Sequence, residues 1–242
     1  MVKSNNTAPN TAMVLAAGLG KRMRSFSSAM PKPMVEVGGV SLINRVLNKL
    51  SQARISNAVV NLHHKGGQIE QHLAKRVGDP AIAFSHENTL LETGGGVKNA
   101  LSLLGDNPFF VINSDALWHD HKTNALTDMQ QFWDKEKMDV LLLLYATKNI
   151  PDYQGSGDFY LETTGLLSRP DDGKTKPYIF TGVQIINPDI MSEFSEGVFS
   201  LNKVYDKANS NGRLFGMAHK GIWHHVGCGA EVEVAERFYT KN

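Results

Sequence analysis

The chain of 242 residues holds one cysteine, Cys228, so an internal disulfide is excluded, and a lone thiol fits a reducing, cytoplasmic setting. Long hydrophobic runs are missing too. The longest, Val140 to Leu144, is strand-sized and far short of the ~20 residues a membrane helix needs. Neither sign of charge dominates: 25 basic residues face 24 acidic ones, for a net charge of +1. That balance leaves no global field to draw the protein to nucleic acid or to a membrane, so any anion site is local. Residues 1–10, M-V-K-S-N-N-T-A-P-N, lack the apolar centre of a signal peptide and read as a disordered tail. No internal repeat or low-complexity stretch divides the chain.

Two glycine motifs are also absent. A Walker loop, G-x-x-x-x-G-K-[ST], occurs nowhere. A dinucleotide fingerprint needs glycine or alanine where Met23 stands and a helix directly after it. Here Ser25 to Ser28 lead instead to Pro31 and Pro33, which sets a nicotinamide-dependent dehydrogenase aside.

What is present begins with Ala12 to Ala17, a short apolar run ending in glycine, which reads as a buried strand opening into a loop. Ala17, Gly18, Leu19 and Gly20 follow with little side-chain bulk, so their backbone N–H groups can wrap phosphate oxygens. Lys21, Arg22 and Arg24 add positive charge, and Lys32 is held between two prolines. A phosphate-rich ligand is the economical reading.

Farther on, strands and helices alternate. Leu42, Ile43, Val46, Leu47 and Leu50 recur at helical spacing behind a capping Ser41. Asn57 to Leu62, Ala81 to Ser85, Phe109 to Asn113 and Asp139 to Tyr145 read as strands, with helices at Gln68 to Val77, after Gly96 and from Asn124 to Trp133. This order calls for an α/β fold with a mostly parallel sheet, helices on both faces and ligand loops at the carboxyl edge. Asn61, at the end of the second strand, belongs to that edge. The His63-His64 pair lacks further ligands at zinc spacing and reads as cleft lining. Gly94, Gly95 and Gly96 precede a helix pattern, leaving room for a ligand against bare backbone. Asp115, just beyond a buried strand, stands where a phosphate-bridging metal needs an oxygen. Trp118 to His121 read as a loop. From Lys148 onward, glycines and prolines break the chain into short pieces before strands at Tyr178 to Ile186, Arg213 to Ala218 and Gly221 to Val226, and a last helix at Val232 to Phe238.

L-A-A-G-L-G-K-R-M followed by P-K-P-M resembles the opening of the sugar-1-phosphate nucleotidyltransferases, and L-E-T-G-G-G resembles the branch that includes the bacterial N-acetylmuramate-1-phosphate uridylyltransferases. The resemblance covers nearly the whole chain after residue 10. It implies a Rossmann-like fold in one domain, residues 11–242, with a nucleotide part at about 11–146, a β-rich sugar part at about 147–228 and a closing helix at 229–242. Nucleotide contacts fall to Ala17, Gly18, Leu19, Gly20, Arg22, Lys32, Asn61, Gly94, Gly95 and Asn113. Arg22, Lys32 and Asp115 would serve catalysis, and Gly157, Asp158, Thr181 and Gly182 would hold the sugar. Magnesium would sit on Asp115. The family's second metal aspartate is replaced by His225, in W-H-H-V-G-C. Imidazole is a poor magnesium ligand and a better one for manganese, cobalt or zinc. Three arrangements fit: Asp115, phosphates and water hold magnesium; His225 selects Mn²⁺ or another softer ion; or turnover is impaired. The implied reaction joins a nucleoside triphosphate, UTP by the branch, to a sugar 1-phosphate, releasing pyrophosphate. Alternatives are guanylyl transfer to mannose 1-phosphate, another hexose 1-phosphate, or a nucleotide- or sugar-phosphate-binding protein without turnover. Oligomeric state stays open.

Overall fold

Residues 8–20, 30–171 and 173–241 are described by the structure, a computed structural model. Strand β1 (Thr11–Leu15) is buried over Ala12, Met13 and Val14, as a short apolar run covered on both faces must be. A small hairpin, β2 (Glu36–Val37) and β3 (Val40–Ser41), leads into helix α1 (Leu42–Gln52). Its buried stripe is Leu42, Ile43, Val46, Leu47 and Leu50, and the Ser41 hydroxyl accepts the Asn44 N–H at 3.4 Å, the cap that the sequence predicts. Then come β4 (Asn57–Leu62), α2 (Gly66–Leu73), β5 (Ala81–His86), α3 (Glu92–Leu104) and β6 (Phe109–Asn113). The remaining pieces are β7 (Leu117–His119), α4 (Ala125–Phe132), β8 (Val140–Ala146), β9 (Tyr160–Leu161), β10 (Leu167–Ser168), β11 (Tyr178–Ile186), α5 (Pro188–Met191), α6 (Asn202–Ser210), β12 (Leu214–Ala218), β13 (Ile222–His224) and α7 (Gly229–Lys241).

Seven strands form one sheet in the order β12-β8-β11-β6-β1-β4-β5. All neighbours are parallel except β11, which runs against both β6 and β8. The Rossmann-like, mostly parallel sheet expected from the alternation is therefore what the chain builds. One apolar core, under α1, α2 and α4, includes Val14, Leu47 and Trp133; the opposite one, under α3 and α6, includes Met13, Val97 and Tyr205. β11 and β12 lie beyond residue 147 in sequence, yet they complete the central sheet, and only β9 and β10 form a separate pair.

Two expectations are corrected. Trp118 and His119 belong to β7, which pairs antiparallel with β13, because Leu117 and Trp118 alternate with polar neighbours and are buried. The tail is shorter than ten residues at least at its inner end: Pro9 is buried and accepts the Gln130 side-chain amide at 2.7 Å, and Asn10 Oδ1 accepts the Ser56 N–H at 3.1 Å. Residues 1–7 lie outside the described ones.

α7 closes over the hairpin. Val232 and Ala235 pack on Val35, Val37 and Leu117, and the Arg45 guanidinium lies 3.7 Å from the Tyr239 ring centre. His119 sits among the rings of Phe238, Tyr239 and His224, and burial, then His224, Lys49 and Arg45, lower its pKa from 6.5 to about 4. The unfolded chain therefore binds more protons than the folded one between pH 6.5 and 4, so this contribution to stability is complete above that window and is lost as pH falls through it. The urea midpoint is expected to drop from pH 7 to pH 5, and to drop less in His119→Phe. On the other side of the molecule, Leu142→Ala, at a fully buried position of β8, should lower stability by about 2–5 kcal/mol in the same urea titration.

Candidate active site

The parallel strands β1, β4 and β6 end together: Leu15 is level with Asn61 and with Asn113. Past these ends lies a cleft of about 450 Å³ whose near wall is Ala16, Ala17, Gly18, Gly20 and Lys32. Gly20 adopts φ +58°, and a Cβ there would lie 3.4 Å from that of Lys32. At Gly18 no atom lies within 4 Å of where a Cβ would be. The loop thus offers bare backbone to the cleft, as an anion cradle requires. Pro31 and Pro33 set Lys32 in a single 3-10 turn, closed by Met34 N–H to Pro31 C=O at 2.9 Å and Val35 N–H to Lys32 C=O at 3.0 Å. The Lys32 ammonium, mostly buried, pairs with the Asp115 carboxylate just past β6. The structure thus brings together Ala17, Gly18, Gly20, Lys32, Asn61, Asn113 and Asp115. Arg22 lies outside the described residues, and Leu19, 37% exposed, is not among the described residues that line the cleft.

Asn61 has a role that sequence reading did not isolate. It is 2% exposed; its Oδ1 accepts the Ala16 N–H at 2.7 Å, and its Nδ2 donates to Glu87 Oε1 at 2.6 Å. Glu87 Oε2 in turn accepts the Leu91 N–H at 3.0 Å. This buried relay ties the glycine loop after β1 to the segment that starts α3, across the floor of the cleft. Glu87 was missed, although it carries the same signal as Asp115, a carboxylate just past a strand's carboxyl end.

The far wall is built differently from the sequence expectation. Gly94, Gly95 and Gly96 lie inside α3 and are buried. A Cβ on Gly94 would meet the Phe199 ring at 2.4 Å, one on Gly95 the Gly197 carbonyl oxygen at 2.1 Å, and one on Gly96 Glu87 Oε1 at 2.7 Å. The N–H groups of Gly94 and Gly95 both donate to the Phe199 carbonyl, at 2.9 and 3.0 Å. The chain's own packing demands these glycines, and cleft lining passes to Leu90, Glu92, Thr93 and Ser200. Sequence reading gave the 199–201 loop no role here; its Leu201 N–H donates to Thr93 Oγ1 at 2.9 Å.

None of Gly157, Asp158, Thr181 and Gly182 is among the described residues lining this cleft. Asp158 accepts the Phe180 N–H at 2.8 Å, and the buried Thr181 hydroxyl donates to Leu143 C=O at 2.7 Å. Both brace the stretch of β11 where its register against β8 shifts, between Phe180 and Gln184. Gly182, φ +88°, makes room for Asn113, whose Nδ2 would be 2.9 Å from a Cβ. Gly157, φ +67°, lies so close to the Lys176 carbonyl that a Cβ would stand 2.0 Å from its oxygen.

His225 Nε2 lies 3.7 Å from Glu231 Oε1, and its ring is tilted against Trp223. It is not among the described residues lining the cleft, and among the described residues no three of His, Cys, Asp and Glu cluster as a metal cage. Asp115 alone still fits magnesium, a hard ion that commonly takes one or two carboxylates and completes its shell with substrate phosphates and water.

A mostly parallel sheet with a glycine loop, a lysine and a carboxylate at its carboxyl edge defines a phosphate-handling transferase of the nucleotide-diphospho-sugar type. The sequence pattern of the nucleotidyl transferase family matches residues 11–227, and the chain belongs to that family. It is 41% identical to N-acetylmuramate alpha-1-phosphate uridylyltransferase of Caulobacter vibrioides over 95% of this chain and 98% of that protein. The same enzyme from Neisseria meningitidis is 34% identical, over 93% and 96%. In fold, the chain is similar to HddC from Yersinia pseudotuberculosis complexed with GMP-PN (TM-score 0.75, 20% identity, 95% of this chain and 99% of that one). It is likewise similar to UDP-glucose pyrophosphorylase complexed with UDP-glucose (TM-score 0.79, 16% identity, 97% and 100%). The protein is a nucleotidyltransferase that links a nucleoside triphosphate to a sugar 1-phosphate.

Removing Asn61 leaves two buried partners unmade. Asn61→Leu should cost about 1–3 kcal/mol in urea unfolding and weaken triphosphate binding in calorimetry, because the glycine loop loses its anchor.

Proposed function

We propose that this enzyme transfers a uridylyl group from UTP to N-acetylmuramate 1-phosphate, giving the nucleotide sugar and pyrophosphate, as a cytoplasmic step in cell-wall sugar recycling. The observation that carries the reading is the match, over nearly the full length of each chain, to the two bacterial uridylyltransferases.

In this reading an oxygen of the sugar 1-phosphate attacks the α-phosphorus in line, and pyrophosphate leaves from the opposite side. The nucleophile is already ionised, so no general base is needed, and catalysis is positioning plus neutralisation of charge. The N–H groups of Ala17 to Gly20, with Arg22, hold the β and γ phosphates. Lys32 turns from Asp115 toward the reacting phosphate and stabilises its developing charge. Asp115 holds the divalent ion, which when bound offsets phosphate charge; magnesium is favoured, since His225 sits with Glu231. Asn113 and the far wall take the nucleoside, while Gly157, Asp158, Thr181 and Gly182 shape the sugar side, directly or by bracing β11. The functional parts are then residues 11–146 for the nucleotide and 147–228 for the sugar, with 229–242 closing them.

Lys32→Ala is expected to lower single-turnover pyrophosphate release by about a hundredfold or more with the urea midpoint little changed. A near-normal rate would remove Lys32 from the chemistry. Wild-type enzyme is assayed with UTP and GTP against N-acetylmuramate and mannose 1-phosphates, with Mg²⁺ or Mn²⁺. GTP outperforming UTP would replace the base assignment, mannose 1-phosphate outperforming would replace the sugar, and binding without pyrophosphate under either metal would favour a protein without turnover.

A further inference from the structure

Glu92 opens α3 with φ +60°, in the left-handed region that costs a side-chain-bearing residue strain and costs glycine none. Its side chain is exposed and lines the cleft beside Leu90 and Thr93. The charged side chains among the described lining residues are Lys32, Asp115 and Glu92. The first two neutralise each other, and Glu92 has no hydrogen-bond or ion-pair partner among the described residues. Nor do the helix amides of Gly94 and Gly95 offset it, since both are bonded to the Phe199 carbonyl.

A free carboxylate in a cleft that takes polyphosphate is repulsive unless it meets neutral donors instead. Strain retained where glycine would relieve it indicates that the side chain is used. The geometry points to Glu92 as a specificity-determining residue that accepts hydrogen bonds from the nucleoside half of the triphosphate, away from the phosphates at Gly18, Gly20 and Lys32. The donors are O–H or N–H groups of the nucleoside: the vicinal ribose hydroxyls, which a carboxylate can accept with both oxygens, or the imide N–H of the base. This inference rests on the triphosphate-binding reading of the cleft.

The test titrates the full chain, Glu92→Gly and Glu92→Gln by calorimetry with UTP, 2′-deoxy-UTP and inorganic tripolyphosphate. Glu92→Gly should melt no lower than the parent, because the strain is relieved. It should bind tripolyphosphate as well or better, and bind UTP about tenfold or more weakly. Glu92→Gln, still strained and with one acceptor left, should fall between. If the ribose hydroxyls are the donors, 2′-deoxy-UTP binds the parent more weakly than UTP and loses little further in the variant. If the base is the donor, 2′-deoxy-UTP loses as much as UTP. UTP binding unchanged in Glu92→Gly, or shifted by the same factor as tripolyphosphate, would overturn the inference, since the carboxylate would then be inert or a point charge. Failure of the functional reading shows separately, as absence of pyrophosphate release by the parent with any sugar 1-phosphate.

Discussion

Everything at the cleft depends on β1 lying in parallel between β4 and β6. Parallel pairing brings the carboxyl ends of the three strands level, so Leu15, Asn61 and Asn113 form one edge, and the chain must leave that edge by loops. Loops there carry backbone N–H groups that the sheet no longer uses. Asn61 fixes one of them by accepting from Ala16, which leaves the amides beyond it free to face a ligand. A single buried side chain at a strand end thus converts a topological consequence of the sheet into a shaped anion site.

The two walls of the cleft hold themselves in opposite ways. The near wall is glycine loop and 3-10 turn, shaped by the left-handed backbone of Gly20 and two prolines around Lys32. The far wall is a helix start sewn to a loop: Phe199 accepts from Gly94 and Gly95, Thr93 accepts from Leu201, and the absence of side chains at Gly94 and Gly95 lets the loop approach. Glu87 couples the walls, since its two oxygens take Asn61 on one side and Leu91 on the other. Burying that carboxylate is tolerable only because both oxygens are bonded, so the relay stands or falls as a unit.

Much of this was legible in the residue order, for definite reasons. Short apolar runs with a glycine behind them mark parallel strands, and Asn57–Leu62, Phe109–Asn113 and Tyr178–Ile186 have the bounds their apolar pattern predicts. Ala17, Gly18, Gly20, Lys32 and Asp115 gather at one cleft because all follow strand ends or are held near one by proline. What escaped was long-range pairing. Nothing near Gly94 in sequence announces Phe199, and nothing near Leu117 announces His224, its partner across the small β7–β13 ladder. Three adjacent glycines read locally as room for a ligand; in the fold they are room for another part of the chain.

The same distinction separates the two carboxylates that remain at the cleft. Asp115 is matched by Lys32 before any ligand arrives, so a triphosphate meets a pair whose members can each turn to it: the ammonium to phosphate, the carboxylate to a cation. Glu92 has no such counter-charge, and it stands on strained backbone. Charge repulsion alone then orders a bound nucleotide, with its phosphates driven to the Lys32 side and its neutral half left at Glu92. An orientation set by one paired and one unpaired carboxylate requires no specific base contact, and base choice is a further layer built on top of it.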